Sequence, residues 1–170
     1  MSVVGVDFGN LSLLIGMAGR GGVDVILNDS SNRQTATCVS IQGKQRFIGD
    51  AGATMARSNL TNTFSNMKLL VGRKFDSPDV QAELKRAPFK ASKLQNGAVG
   101  INILYNNEET VVPVEHVMAM MLVKAKEIAS SAHGEVGIGD AVLAVPHWFT
   151  DAQVTSLLCV LSLPMNPILT

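Results

Sequence analysis

The chain has 170 residues, 46% of them hydrophobic, which is enough for one domain with a buried core and excludes a disordered chain. Fourteen Lys and Arg balance fourteen Asp and Glu, so a formal net charge of zero offers nucleic acid or an anionic membrane no electrostatic footprint. The two cysteines, Cys38 and Cys159, lie far apart without a C-x-x-C or a His-rich neighbour, which fits reduced thiols better than a disulfide framework or a zinc site.

From the N-terminus, Val3 to Asp7, Leu11 to Ala18 and Gly22 to Asn28 read as three short strands joined by glycine turns, as in an antiparallel meander. In the third, Val23, Val25 and Leu27 are expected on a buried face and Asp24 and Asn28 on the other, with Ile26 out of phase. No basic n-region precedes the early apolar stretch, and that stretch holds Asp7, so a secretory signal is not expected and the chain reads as intracellular. After the polar loop at 29 to 33, Cys38 to Ile41 and Arg46 to Ile48 predict a hairpin around Gln42-Gly43-Lys44-Gln45. Residues 50 to 58 and 61 to 72 read as helices. In the second, Phe64, Met67 and Val71 share a face at helical spacing, with Lys68 at the edge of the stripe. Ser77 and Pro78 suit the N-cap and first position of a short helix through Arg86, with Val80 and Leu84 pointing inward.

Val99, Ile101, Ile103 and Tyr105 then alternate with Gly100, Asn102 and Leu104, and Asn106-Asn107 turns the chain into Thr110 to Val112, a second hairpin. The longest helix signal runs from Val114 to Ala132, with Glu115 in its first turn and Gly134 placed to stop it. Ala141 to Val145 predicts a fully buried strand ended by Pro146, and Thr150-Asp151 suits the cap of a last helix. The apolar run Leu157 to Leu163 is too short to span a bilayer. Strands, then a helical and hairpin insert, then helix and strand predict a mixed α/β fold with a subdomain between the meander and the long helix.

Two positions carry candidate chemistry. In V-G-V-D-F-G-N at 4 to 10, a glycine bend lets backbone N–H groups converge on a phosphate, and Asp7 at the strand end suits Mg²⁺ held through water. The same residues also suit an ordinary hairpin. Lys68 either snorkels its ammonium to water along its own methylenes or faces a cleft as a point charge for a phosphoryl group. His116, His133 and His147 are isolated from partners at ligand spacing, the eight methionines suit core filling, and Glu108-Glu109 suits solvent.

Six motifs fall in order at family-like spacing: V-G-V-D-F-G-N at 4 to 10, N-D-S-S-N-R-Q-T at 28 to 35, F-I-G-D-A-G at 47 to 52, N-x-T-N-T at 59 to 63, K-L-L-V-G-R-K-F-D at 68 to 76 and A-V-P-H-W-F-T-D-A-Q at 144 to 153. Together they resemble the heat shock protein 70 family over residues 3 to 153. Asn10 and Leu11, standing where the main branch has two threonines, together with W-F-T-D, look more like the larger heat shock protein 110 branch. The resemblance implies the first lobe of an actin-like (ribonuclease H-like) ATPase, an α/β fold with a mixed sheet. Residues 1 to 153 would form the lobe, about 36 to 113 an inserted small α+β outer subdomain, and 154 to 170 a divergent tail outside the match. ATP or ADP with Mg²⁺ would sit between this lobe and a second. By that match Asp7, Gly9, Asn10, Leu11 and Ser12 form the first phosphate loop, with Asp7 also toward the metal, and Lys68 is the cleft-facing lysine linked to hydrolysis.

A cytoplasmic, stress-responsive ATP-binding chaperone is the implied function, with roles in protein folding and in nucleotide exchange on a heat shock protein 70-type partner, and with unfolded proteins as clients. Nucleic acid and membrane are not expected partners. Departures from the pattern matter. Asn10 and Leu11 remove two hydroxyls from the loop, so binding is easier to defend than turnover, and Val154 stands where the family has an arginine associated with interdomain communication. Beyond Gln153 the pattern stops and Pro164 and Pro167 would break a helix, which leads to the expectation of a truncated, hydrolysis-deficient product. A non-catalytic module that contacts a full-length chaperone without nucleotide is the alternative. A sugar kinase of the same superfamily is disfavoured by the K-L-L-V-G-R-K-F run.

Overall fold

The computed structural model describes residues 2–19, 21–133 and 138–162. Strands β1 (Ser2–Phe8), β2 (Ser12–Gly19) and β3 (Gly22–Val25) form the expected antiparallel meander. In β1, Val4, Val6 and Phe8 are buried while Val3, Gly5 and Asp7 are exposed, the period of two that places one face of a sheet on a core. Strand β4 (Gln34–Ala36) pairs with the start of β2, Ser12 opposite Ala36 and Leu14 opposite Gln34. No strand was expected between the polar loop at 29 to 33 and the hairpin from Cys38. What holds it is the Asp50 carboxylate, which accepts the Ala36 N–H at 2.9 Å and the Asn28 amide at 2.9 Å.

The first hairpin forms as β5 (Val39–Gln42) and β6 (Gln45–Ile48), followed by α1 (Asp50–Met55), shorter than the expected 50 to 58. The predicted helix at 61 to 72 is absent. A 3₁₀ turn at Leu60–Asn62, strand β7 (Thr63–Phe64) against β5, and a second 3₁₀ turn at Met67–Leu69 replace it. The helix is interrupted because Asn66 takes the left-handed φ of 57° and the Asn62 side chain is drawn to other strands. Its amide donates to the carbonyls of Ile41 at 2.6 Å and Leu104 at 2.8 Å. Phe64, Met67 and Val71 are nevertheless buried, so their spacing reported burial and not helix.

Helix α2 (Pro78–Leu84) begins at Ser77 with Pro78 in its first turn and buries Val80. Strands β8 (Ala91–Lys93), β9 (Val99–Tyr105) and β10 (Glu108–Pro113) make a three-stranded sheet. Asn106 and Asn107 close its second hairpin at φ 51° and 66°, the double left-handed turn that matches strand twist. Helix α3 (Val114–His133) forms as expected, burying Val117, Met118, Met121, Ala125, Ile128 and Ala129. Its stop at Gly134, like Leu163, Pro164 and Pro167, lies outside the described residues.

Strand β11 (Ile138–Ala144) runs parallel to β1, with Val4 opposite Ala141 and Asp7 opposite Ala144. The expectation of a fully buried strand is corrected, since Val142 is 64% exposed and Ala141, Ala144 and Val145 are also exposed. Among the described residues β11 ends the sheet order β11-β1-β2-β3, and only Leu143 packs on the core. The opposite edge corrects the third strand. Val23, Val25 and Leu27 are exposed, and Ile26, the residue out of phase, packs inward. Helix α4 (Asp151–Ser162) opens with a reciprocal cap. The Gln153 N–H donates to the Thr150 hydroxyl at 3.4 Å and the Thr150 N–H to the Gln153 side-chain oxygen at 3.3 Å.

Candidate functional site

Parallel strands β1 and β11 end side by side at Asp7 and Ala144. Ligands of open sheets commonly bind beyond the carboxyl ends of such strands, because connecting loops and free backbone groups collect there. At this end the Asp7 carboxylate is exposed and the chain reverses through Gly9–Ser12, closed by Gly9 N–H to the Ser12 carbonyl at 2.9 Å. A Cβ built on Gly9 would lie 2.6 Å from the Ser12 oxygen, so the reversal requires glycine. Leu11 stands at the tip, 82% exposed. Asn10 buries its side-chain oxygen without a partner. Ser12, half-buried, opens β2 beside β4, and the Leu11 carbonyl accepts the Thr37 N–H at 3.0 Å.

Lys68 arrives from the second 3₁₀ turn. It is only 8% exposed, and its ammonium donates to the Phe8 carbonyl, 60 residues earlier in the chain. The side chain therefore turns inward to the end of β1 instead of snorkelling along the surface. Burial holds its pKa below the ordinary lysine value, and the nearby negative charge of Asp7 acts in the opposite sense. Asp7, Gly9, Asn10, Leu11, Ser12 and Lys68 are thus gathered at one end of one sheet. An acid and a desolvated cation flank a turn that only glycine at position 9 allows to close.

The turn carrying Lys68 is braced from the other side. Gly72 takes φ +67°, and a Cβ there would meet the Gln153 Cα at 2.6 Å, so this turn sits directly on the first turn of α4. The Gly72 N–H also donates to Glu115 at 3.4 Å. Arg73 stacks over the Trp148 ring at 5.6 Å and pairs with Asp79 at 3.0 Å. None of these braces was expected. The glycine inside V-G-R was the one available signal, since an isolated glycine beside an apolar run often marks close backbone approach.

Elsewhere, a cavity of about 460 Å³ lies between Asp24–Asp29 and the end of α3, and one of about 290 Å³ lies beside α2 at Asn66, Glu83 and Arg86. Neither is lined by the residues gathered at Asp7. His116 is half-buried with Nδ1 unpartnered, and burial lowers its pKa against the opposing charge of Glu115. Among the described residues no three His, Cys, Asp or Glu side chains converge on a metal position, and no helix is long and apolar enough to cross a membrane.

A family model described as Hsp70 protein matches residues 3–158. Heat shock 70 kDa protein 4L of Homo sapiens is 39% identical over 158 residues, covering 93% of this chain and 19% of that protein. Heat shock protein 110 of Caenorhabditis elegans is 41% identical over 159 residues, 93% of this chain and 20% of that protein. Heat shock protein hsp88 of Neurospora crassa is 42% identical over 160 residues, 93% of this chain and 22% of that protein. The chain spans about a fifth of the length of these curated relatives.

Proposed function

This chain belongs to the Hsp70 protein family, and on that premise we propose that it binds the phosphates of ATP or ADP at the carboxyl ends of β1 and β11, as part of a chaperone ATPase. The observation that carries the reading is the inward-turned Lys68 ammonium beside the Gly9–Ser12 turn and Asp7. A buried cation served by one carbonyl suits an incoming phosphate, and glycine at position 9 is what lets the chain close the Gly9–Ser12 turn beside it. The Asn10 side chain brings amide N–H donors to this turn, while its oxygen, an acceptor like the phosphate itself, has no partner.

Asp7 would hold Mg²⁺, because a carboxylate beside phosphates repels them unless a divalent ion lies between. That ion, when bound, supplies charge neutralisation and orientation of the phosphate oxygens. Gly9, Asn10, Leu11 and Ser12 would cradle the phosphate while Lys68 holds a positive charge opposite Asp7. Leu11 offers no side-chain donor where the main branch has a hydroxyl, so we assign this chain binding in preference to fast hydrolysis.

The domain reading is an actin-like first lobe over residues 1 to 153, with about 36 to 113 as an inserted outer part. Its support is sheet membership, since β1 to β4 and β11 share one sheet while the strands from Val39 to Pro113 form two others. The relatives' heat shock names support a stress-related chaperone role; a cytoplasmic setting, a heat shock protein 70-type chaperone as partner, nucleotide exchange on it and unfolded proteins as clients belong to the proposal and rest on the family resemblance alone. The alternative is a nucleotide-free module on a full-length chaperone, favoured by the exposed, donor-less Leu11.

Titration calorimetry of the full chain with Mg-ADP tests the proposal. Micromolar binding is expected, with Lys68→Met weakening it roughly 10- to 150-fold, the worth of a charge-assisted hydrogen bond. Equal affinity of the folded variant and the wild type would overturn it.

A further inference from the structure

Two residues at one backbone hydrogen bond, the one that donates it and the one next to its acceptor in the chain, each bury a polar side-chain atom without a partner. One is the Asn10 side-chain oxygen, on the residue before Leu11; the other is the hydroxyl of Thr37, whose N–H is bonded to the Leu11 carbonyl. Thr37 is 2% exposed, so water does not serve its hydroxyl from bulk solvent. The two atoms are complementary, because an amide oxygen only accepts and a hydroxyl donates. Native chains leave few such groups unsatisfied, and each exception calls for an explanation, a functional role among them. Asp50 holds Thr37 in register. It accepts the Ala36 N–H one residue away, and its carboxyl stays below the usual range: burial pushes it up, but the hydrogen bonds from Ala36 and from the Asn28 and Asn32 side chains outweigh that.

We infer that Thr37 is a positioning residue for the Gly9–Ser12 turn: when an anionic ligand occupies the turn, the Thr37 hydroxyl donates to the Asn10 oxygen and fixes the Asn10 amide N–H groups toward the phosphate. This rests on the nucleotide reading above. It gives the loop a side-chain donor at position 10, supported from a strand that is distant in sequence, where the main branch has a hydroxyl of its own. Until that bond is made, the buried Thr37 hydroxyl costs its own desolvation and adds nothing to the stability of the fold.

The test uses the full chain with Thr37→Val, Thr37→Ser, Asn10→Ala and the Thr37→Val/Asn10→Ala double variant, read by Mg-ADP calorimetry and by thermal melts without ligand. Thr37→Val keeps the shape and the backbone N–H, so its ligand-free melting point is expected to stay level or rise, while Mg-ADP affinity falls about three- to tenfold. Thr37→Ser is expected to recover affinity to about twofold of wild type. The double variant is expected to bind no more weakly than Asn10→Ala alone, the signature of two residues acting as one unit. A purely structural Thr37 gives the opposite pattern, a lower melting point with unchanged affinity, and that overturns the inference, as do additive losses in the double variant. A wild-type chain that does not bind Mg-ADP overturns the nucleotide reading itself. Wild-type binding with unchanged Thr37→Val affinity overturns this inference alone.

Discussion

Among the described glycines Gly72→Ala should be the most damaging addition of a methyl group, and the reason lies in its two separate demands. At φ +67° any residue with a Cβ loses about 1–2 kcal/mol for the left-handed backbone. The added Cβ would also stand 2.6 Å from the Gln153 Cα, 2.9 Å from the Ala152 carbonyl and 3.0 Å from the Gln153 nitrogen. All three are backbone atoms of the capped first turn of α4, so no side-chain rotation relieves them, and overpacking of this kind costs about 1–3 kcal/mol. The sum is about 2–5 kcal/mol, a large part of the 5–15 kcal/mol typical of a domain. Gly97→Ala is the control. Its φ of +79° makes the same backbone demand, but its nearest neighbours are Lys74 side-chain atoms at 3.6 and 3.8 Å, so about 1–2 kcal/mol is expected. At this chain length 1 kcal/mol moves the midpoint by about 2–4 °C, so Gly72→Ala should melt about 4–20 °C below wild type, and Gly97→Ala should lie between the two. Circular dichroism melts and urea titrations measure both. Equal midpoints for the two variants would refute the claim that the turn carrying Lys68 is set by close approach to α4.

Asn62→Leu should cost about 2–4 kcal/mol in urea denaturation, because it strips the Leu104 N–H and carbonyl of partners at 3.0 and 2.8 Å. The Ile41 carbonyl keeps the Asn59 amide at 2.7 Å and should contribute little to that loss. Acid should destabilise the chain in two stages. Burial lowers the His116 pKa, so below the ordinary histidine value of 6.5 the unfolded chain takes a proton that the folded chain resists, and stability falls as pH drops. His116→Gln should flatten that first stage in melts taken from pH 7 to 5. Asp50 follows: its lowered pKa means stability present above the ordinary value of 3.8 and lost as pH falls further, and Asp50→Asn should blunt this second stage.

The hairpins and α3 could be read from the chain because their signals are local. Val99, Ile101 and Ile103 alternate over a buried face, and the Asn106-Asn107 pair tolerates the positive φ that the turn demands. The stretch from Leu60 to Gly72 defeated the same method, since apolar residues three and four apart mark burial whatever the backbone does between them. Here the Thr63 hydroxyl bonds the Asn59 carbonyl at 2.6 Å and Asn62 reaches two other strands, giving the backbone partners outside a helix. Edge strands misled in a different way. The apolar run of β11 suits a central strand, and the alternation of β3 suits a covered one. Whether a strand lies at an edge depends on its neighbours, which composition does not report.

The candidate site was legible as motifs and illegible as chemistry, and Lys68 shows why. A lysine bordering an apolar stripe ordinarily reaches water along its own stem, and nothing within ten residues of it predicts otherwise. Its inward course is set by Phe8, whose carbonyl lies 60 positions away at the end of β1, and by Asp7 beside it. The charge of Asp7 offsets the desolvation of the ammonium only in part, because its pKa remains below the ordinary value. The folded chain therefore carries a cation whose desolvation is not fully offset. On the proposed function, phosphate supplies further negative charge, so ligand binding should raise the Lys68 pKa and stabilise the fold through the same contact. The desolvation of the ammonium and the affinity of the site for an anion would then be one property of Lys68.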